Sequence, residues 1–231
     1  MKENIPPLDI PLEKKIFWQY AREYIDEMRL LFREGKLSPK YGDWNNVIDH
    51  SLVQLAEMSE LSDLLGLTDE QKNTLERAAL VHDWKKRLEI KPADFTYEQK
   101  EKALSLFEKI KPDETVLEAT EVGFSKEILD DRATFLQRIM FYIDNVTRGK
   151  EIVLARERID EVESRRQDLN NNEELTRKLG GRYWDIERDA MKKVEQEISS
   201  LLKERGFIID SAEDVPVFLK EHVLVNFDKI D

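Results

Sequence analysis

Apolar residues recur at helical spacing through most of the chain, and the elements can be read from that rhythm. From Leu12 to about Glu34, Ile16, Phe17, Tyr20, Tyr24, Met28 and Leu31 share one face, which predicts a helix that Gly35 stops. A lead-in carrying three prolines (residues 3–11) precedes it. Asp43 is placed to cap a second helix, whose stripe runs through Trp44, Val47, Ile48, Leu52, Leu55, Met58 and Leu65 to a stop at Gly66. Thr68 with Asp69, Glu70 and Gln71 forms a capping box, so a third helix starts there. It carries Leu75, Ala78, Ala79 and His82 on a common face and runs toward Pro92. Short helices are expected near 97–109 and 113–121, split by Pro112. Ser125 caps a long helix with Ile128, Leu129, Leu136, Met140 and Ile143 on one side, and Gly149 interrupts the chain beyond it.

The pattern then changes. Residues 151–206 are charge-rich, with breaks at Asn170-Asn171-Asn172 and Gly180-Gly181. Met191, Val194, Ile198 and Leu201 form a narrow seam, of the kind that packs on one neighbour or on a second subunit. Two β-rich pieces, Phe207-Ile208-Ile209 and Val223-Leu224-Val225, are expected to pair as a minor hairpin. The reading is an all-α fold in two parts: a helical domain over 1–165 and a C-terminal helical extension over 166–231, packed on it or at a dimer interface.

Composition supports this and narrows the partners. The 231 residues include only 8 Gly and 7 Pro, against 37% charged and 40% hydrophobic residues, which favours helix over sheet. Absence of cysteine excludes disulfides and thiolate metal sites. No signal-like or membrane-length apolar run is present, so the expectation is a cytoplasmic protein without a membrane partner. A net charge of −12 repels a phosphate backbone and argues against nucleic acid. A small anionic substrate stays compatible if a metal and local cations reverse the field in a cleft.

The chain has three histidines, and two sit suggestively. His50 lies beside the apolar stripe of the second helix, His82 and Asp83 are adjacent near the end of the third, and Asp144 follows Met140 by one turn. A carboxylate next to a core stripe is costly without a cation or several donors. Two imidazoles and two carboxylates from three helices suit a hard-to-borderline divalent cation. His222 has no such company and reads as structural.

These residues carry a family resemblance. The segment DHSLVQLAEMSELSDLLGLTDEQKNTLERAALVHDWKK resembles the opening half of an HD-domain metallophosphohydrolase, with 32 residues from His50 to His82 and 61 from Asp83 to Asp144. FYIDNVTRGKEIVLARER resembles the closing stretch of that family, and the likeness covers about 44–165. It implies helices converging on one divalent metal (Mn, Co, Ni, Fe, Zn or Mg) held by His50, His82, Asp83 and Asp144. It also implies a metal-activated water attacking the phosphorus of a small phosphorylated metabolite or nucleotide. Lys86 matches a lysine that contacts substrate phosphate, with Arg87, Arg148 and Lys150 as further candidates at the cleft mouth. Asp83, Lys86 and Glu121 are the candidate catalytic residues. No histidine lies between 83 and 144, which favours a mononuclear site over the two-metal variant. Where some branches place an acid one turn after His-Asp, this chain has Lys85, Lys86 and Arg87, which leaves the proton donor unassigned. Trp44 and Trp84 read as core or cleft wall. The alternatives are a catalytically weakened ligand-binding or regulatory protein, and an assembly protein working through the 151–206 helices.

Overall fold

A computed structural model describes residues 45–84, 113–121, 125–149 and 151–227. The expected helices at 12–34 and 97–109, the Asp43 cap, and Trp44, Lys85, Lys86, Arg87 and Lys150 lie outside these residues, as does the Trp84 side chain.

The described architecture is helical throughout, apart from one two-stranded hairpin. Helix α1 (Asn45–Leu65) buries residues on almost every side, from Leu52, Val53 and Leu55 to Ala56, Met58 and Leu61. All-round burial marks it as the central helix. It ends in a Schellman turn: the Leu67 N–H donates to the Ser62 carbonyl at 2.9 Å and the Gly66 N–H to Asp63 at 3.0 Å. Gly66 has φ of +61°, where a Cβ is strained, and a Cβ there would also meet the Arg205 guanidinium. Gly66→Ala is therefore expected to destabilise the protein by about 1–2 kcal/mol; an unchanged urea midpoint would contradict this cap.

Helix α2 (Asp69–Val81) starts at the expected box, with the Gln71 N–H on Thr68 Oγ1 at 3.2 Å and the Thr68 N–H on Gln71 Oε1 at 3.1 Å. It ends sooner than Pro92: the α-helix stops at Val81 and tightens into a 3₁₀ turn over His82–Trp84. Helix α3 (Glu114–Thr120) is capped by Asp113, whose carboxylate accepts from the Val116 N–H at 2.9 Å.

The single long helix expected from Ser125 is two helices. Helix α4 (Ser125–Leu129) ends in a turn with Asp131 at φ of +56°, and α5 (Phe135–Val146) restarts under its own Thr134–Gln137 capping box. Lys193, from a distant helix, donates to the carbonyls of Ile128 at 2.9 Å and Leu129 at 3.2 Å, and to Asp131 at 2.6 Å. It joins the Asp131 N–H on the Ile128 carbonyl and adds a donor at the Leu129 carbonyl, in the last turn of α4. Beyond α5, Thr147–Arg148 (β1) pairs antiparallel with Glu151–Ile152 (β2).

Helices α6 (Ala155–Arg165) and α7 (Glu173–Leu179) lead to α8 (Tyr183–Glu204). Both expected breaks appear as caps, with Asn172 accepting from the Leu175 N–H and Gly180 closing α7 in the left-handed region. The seam Met191–Val194–Ile198 is buried, with Leu201 half-buried, but it is not narrow. Trp184, Glu187, Ala190, Glu195, Ser199 and Leu202 widen it, and it packs on α4, α5 and α6 of the same chain. One apolar cluster runs from Leu52 to Leu219, so the seam is spent on the core and supplies no argument for a dimer.

The expected tail hairpin is absent. Phe207–Ile209 has no strand partner, and Val223 lies in α9 (Val215–Phe227). There Val223 joins Val53, Ala56 and Ile152 in a small cluster. Contact with α1 outweighs the β preference of a Val-Leu-Val run. His222 donates Nδ1–H to the Phe218 carbonyl at 2.9 Å and packs on the Phe218 ring at 4.1 Å, which is a structural role. No helix among the described residues is long and apolar enough to cross a membrane.

Candidate metal centre

Helices α1 and α2 are joined by only three residues, so the chain turns back on itself at Gly66. His50 lies 15 residues before Leu65 and His82 lies 13 after Asp69. At 1.5 Å per residue both sit about 20 Å from the turn. The 32-residue spacing thus has a geometric meaning: it places the two imidazoles at the same end of a helical hairpin. Their ring centroids are 5.3 Å apart. Asp83 follows His82 in the 3₁₀ turn, and Asp144 comes from the last turn of α5, which packs on both α1 and α2.

Donor atoms of His50, His82 and Asp83 lie within 4.8 Å of one another. Asp144 Oδ1 approaches His50 Nε2 at 3.1 Å and His82 Nε2 at 3.5 Å, and His82 Nε2 is 3.2 Å from Asp83 Oδ1. Bonds of about 2.0–2.2 Å to one ion put donors about 2.8–3.6 Å apart along the edges of an octahedron or tetrahedron. These three spacings fall in that range. His50 and Asp83 are buried, at 6% and 5% exposure, whereas the Asp144 side chain keeps 40% and stands at the open side.

Hydrogen bonding settles what the nitrogens present. His82 Nδ1 sits 2.9 Å from the Ala79 carbonyl, an atom that can only accept, so Nδ1 carries a proton. In the neutral ring Nε2 then aims a lone pair at two carboxylate oxygens. That contact needs a cation between the atoms, either a metal or a second proton on the ring. Around His50 the conflict recurs. The Gln54 amide donates to Asp144 Oδ1 at 3.0 Å and also lies 3.0 Å from His50 Nε2, while Nε2 faces Asp144 Oδ1. With a proton, Nε2 opposes the amide donor; without one, it opposes the carboxylate. The group within 4.8 Å offers two nitrogens and the Asp83 oxygen, with Asp144 Oδ1 beside the imidazoles and no sulfur, donors of the kind a borderline divalent ion takes.

Charge in the cleft follows. Burial acts to raise the Asp144 carboxyl, but hydrogen bonds from His50 and His82, with their charges, hold it well below the usual carboxylate range. Two acids nearby go the other way. Glu57, on α1, is pushed well above 4.5 by burial, opposed by the Thr147 hydroxyl and reinforced by the Asp144 charge. Thr147 Oγ1 lies 2.5 Å from Glu57 Oε2 and 2.7 Å from the Ile143 carbonyl. A hydroxyl has one proton for those two acceptors, so both contacts are hydrogen bonds only when the Glu57 carboxyl is itself protonated and donates. Burial likewise lifts Glu187, on α8, to about 7, against hydrogen bonds from Ser125 and Asn145 and with the Asp144 charge.

The neutral state of Glu57 has a measurable consequence. A carboxyl raised in the folded state stabilises fully below its unfolded value of 4.5 and loses that contribution as pH climbs toward the folded value. Glu57→Gln keeps a donor for Thr147 and has nothing to ionise. The variant is expected to match wild type near pH 4 and to gain on it above that, by about 1.4 kcal/mol per pH unit until Glu57 ionises. Parallel urea titrations decide it, and a constant difference between pH 4 and 8 would refute a neutral Glu57.

The other expected residues lie elsewhere. Glu121 is exposed at the C-terminal end of α3, where its carbonyl accepts from Gln137 at 2.9 Å. Arg148 pairs with Glu151 across the hairpin at 3.0 Å and lines, with Pro216 and Lys220 of α9, a hollow of about 400 Å³ whose lining includes neither His50 nor His82. Gln54, Glu57 and Glu187 were not singled out from sequence. Gln54 carried a readable signal, one helical turn after His50. Glu187 carried none, because only packing brings α8 against α5. No protein-family profile, curated protein or solved structure matches this chain.

Proposed function

We propose that the chain is a metal-dependent phosphohydrolase on the HD-domain plan, acting on a small phosphorylated metabolite or nucleotide. The observation that carries this reading is the convergence of His50, His82 and Asp83, with Asp144 Oδ1 within 3.1 and 3.5 Å of the two imidazoles. One divalent cation held by those four side chains supplies Lewis acidity at phosphate oxygens and an activated water.

The chain's own groups supply the rest. Gln54 holds Asp144 in place through its amide. Asp83, buried beside His82, orients the attacking water and takes up its proton. Lys86 as a point charge and Arg87 through its guanidinium fork, shortly after the His-Asp turn in sequence, hold the phosphate. Glu187, buried on α8 and sensing the Asp144 charge, is our candidate for the acid that the sequence left unassigned. With its carboxyl near 7 it is partly protonated at neutral pH, matched to returning a proton to the leaving oxygen. Glu187→Gln is expected to lower kcat by about 10²-fold with little change in KM, the usual size of a lost proton-transfer group. Equal loss in KM would assign Glu187 to binding instead.

The decisive experiment is metal analysis of protein purified without chelator, followed by a panel of nucleotides and sugar phosphates with Mn²⁺, Co²⁺, Ni²⁺ or Mg²⁺. Cation-dependent turnover supports the hydrolase. A protein that retains no metal, and whose melting temperature no cation raises, has instead a cluster of imidazolium–carboxylate ion pairs, and the proposal fails. Bound metal without turnover moves the regulatory ligand-binding reading ahead.

A further inference from the structure

Helices α6 and α8 and the 3₁₀ turn at Ala212–Asp214 line a half-open cavity of about 390 Å³ that shares no lining residue with the histidine cluster. The volume is that of a small-ligand pocket. Its floor is apolar, formed by Leu154, Ile159 and Met191, and one acid interrupts it. Glu195 is 7% exposed and lines the cavity, yet it makes no hydrogen bond or ion pair among the described residues. Burial pushes its carboxyl up to about 7, Glu213 adds to the rise and Arg156 opposes it. A buried carboxyl without a partner is costly to ionise, and a cation delivered into the cavity removes that cost.

The cations of the lining differ in how they are engaged. Arg156 pairs with Glu213 at 3.3 Å, and Arg188 pairs with Asp160 at 2.8 Å and with Glu163. Lys192 is exposed, lines the same cavity and has no ion pair among the described residues. It precedes Glu195 by three residues on α8, so the two stand on one face about 5–6 Å apart at Cβ. The cavity therefore offers in its wall one carboxyl that makes no hydrogen bond or ion pair among the described residues, one lysine at its mouth and an aliphatic floor.

We propose that this cavity binds a small zwitterion with an aliphatic body, of the free branched-chain α-amino acid class, whose ammonium meets Glu195 and whose carboxylate meets Lys192. The ammonium brings three donors to a carboxylate that has none. The carboxylate stays near solvent, where a lysine on a flexible stem can reach it. The aliphatic part covers Ile159 and Met191, both buried around the floor.

Three probes sharing one 3-methylbutyl skeleton separate the parts of this claim: L-leucine, isopentylamine and 4-methylpentanoate, titrated into the full chain and followed by the Met191 and Ile159 methyl NMR signals. Saturable shifts with L-leucine are expected, with isopentylamine weaker and 4-methylpentanoate without effect. Glu195→Gln, which keeps the shape, is expected to weaken L-leucine by about tenfold or more. Lys192→Ala, at an exposed position, is expected to weaken L-leucine while leaving isopentylamine unchanged. Binding of 4-methylpentanoate as tightly as L-leucine, unchanged L-leucine affinity in folded Glu195→Gln, or no saturable shift with L-leucine would each overturn the proposal. Should Glu195→Gln fail to fold, the three-probe ranking in wild type and Lys192→Ala decides alone.

Discussion

Asp83→Ala is expected to abolish hydrolysis and most metal retention while leaving the fold intact. Asp83 is a short side chain in a 3₁₀ turn, so its loss removes little apolar packing. What it removes is one of two carboxylates in the cluster, 3.2 Å from His82 Nε2, and with it the group that on the proposed reading orients the water. Changes to residues that merely support metal ligands already cost about 10–100-fold, so loss of a ligand should exceed a hundredfold. Lys86→Ala is the companion case. A point charge on phosphate acts in ground and transition states alike, so KM should rise more than kcat falls. Steady-state assays on the best substrate of the panel, with near-ultraviolet circular dichroism to confirm folding, check both. If wild type and Asp83→Ala share the same low turnover, the activity is a contaminant and the hydrolase reading is lost.

Chelation of metal-loaded protein is expected to lower its melting temperature by about 5–10 °C when the cation had been present at a hundred times its dissociation constant. That follows from about 2.7 kcal/mol of linkage and about 2–4 °C per kcal/mol for a chain of this size. The physical cause is local: without a cation, lone pairs of His82 and of Asp83 and Asp144 face one another at 3.2 and 3.5 Å. The effect has a pH sign. Asp144 is held below the usual range, so what its ion pairs contribute is present above the ordinary value of 3.8 and lost as pH falls through the folded one. A nitrogen that has taken a proton cannot take a metal, so the stabilisation by the cation fades on acidification as well. Differential scanning at pH 7.5 and 5.5, with and without chelator, measures the metal-linked part; an equal gap at the two pH values, or none in a sample shown to contain metal, contradicts a site made of these ligands, and scans of chelated protein below pH 3.8 read the loss of the Asp144 ion pairs.

The departures from the sequence-based expectations share a cause. Helical periodicity carries through Ser125–Ile143 without a break, because Ile128, Leu136, Met140 and Ile143 keep step. The chain nonetheless stops at Leu129, where Lys193 caps the carbonyls from 64 residues away and Thr134 opens a new box. The second box was legible locally; the lysine was not. The tail strands failed for a related reason. A Val-Leu-Val run scores as strand by composition, but Val223 sits against Val53 and Ala56, and burial on α1 decides its conformation.

What the sequence determined by itself is local and periodic: helix as the element type, the Thr68 box, the Gly66 stop, the caps at Asn172 and Gly180, and the spacing that brings His50 and His82 to one end of a hairpin. Each depends on residues within a few turns of one another, or on a helical rise that is the same in every protein. Only the tertiary structure decided which face of α8 is core, that Asp144 reaches both imidazoles, and that Glu57, Glu187 and Glu195 lie buried with raised carboxyls. Those facts depend on desolvation and on charges carried by other helices. Neither quantity is a property of any short stretch of chain, so a reading of neighbours in sequence contains neither.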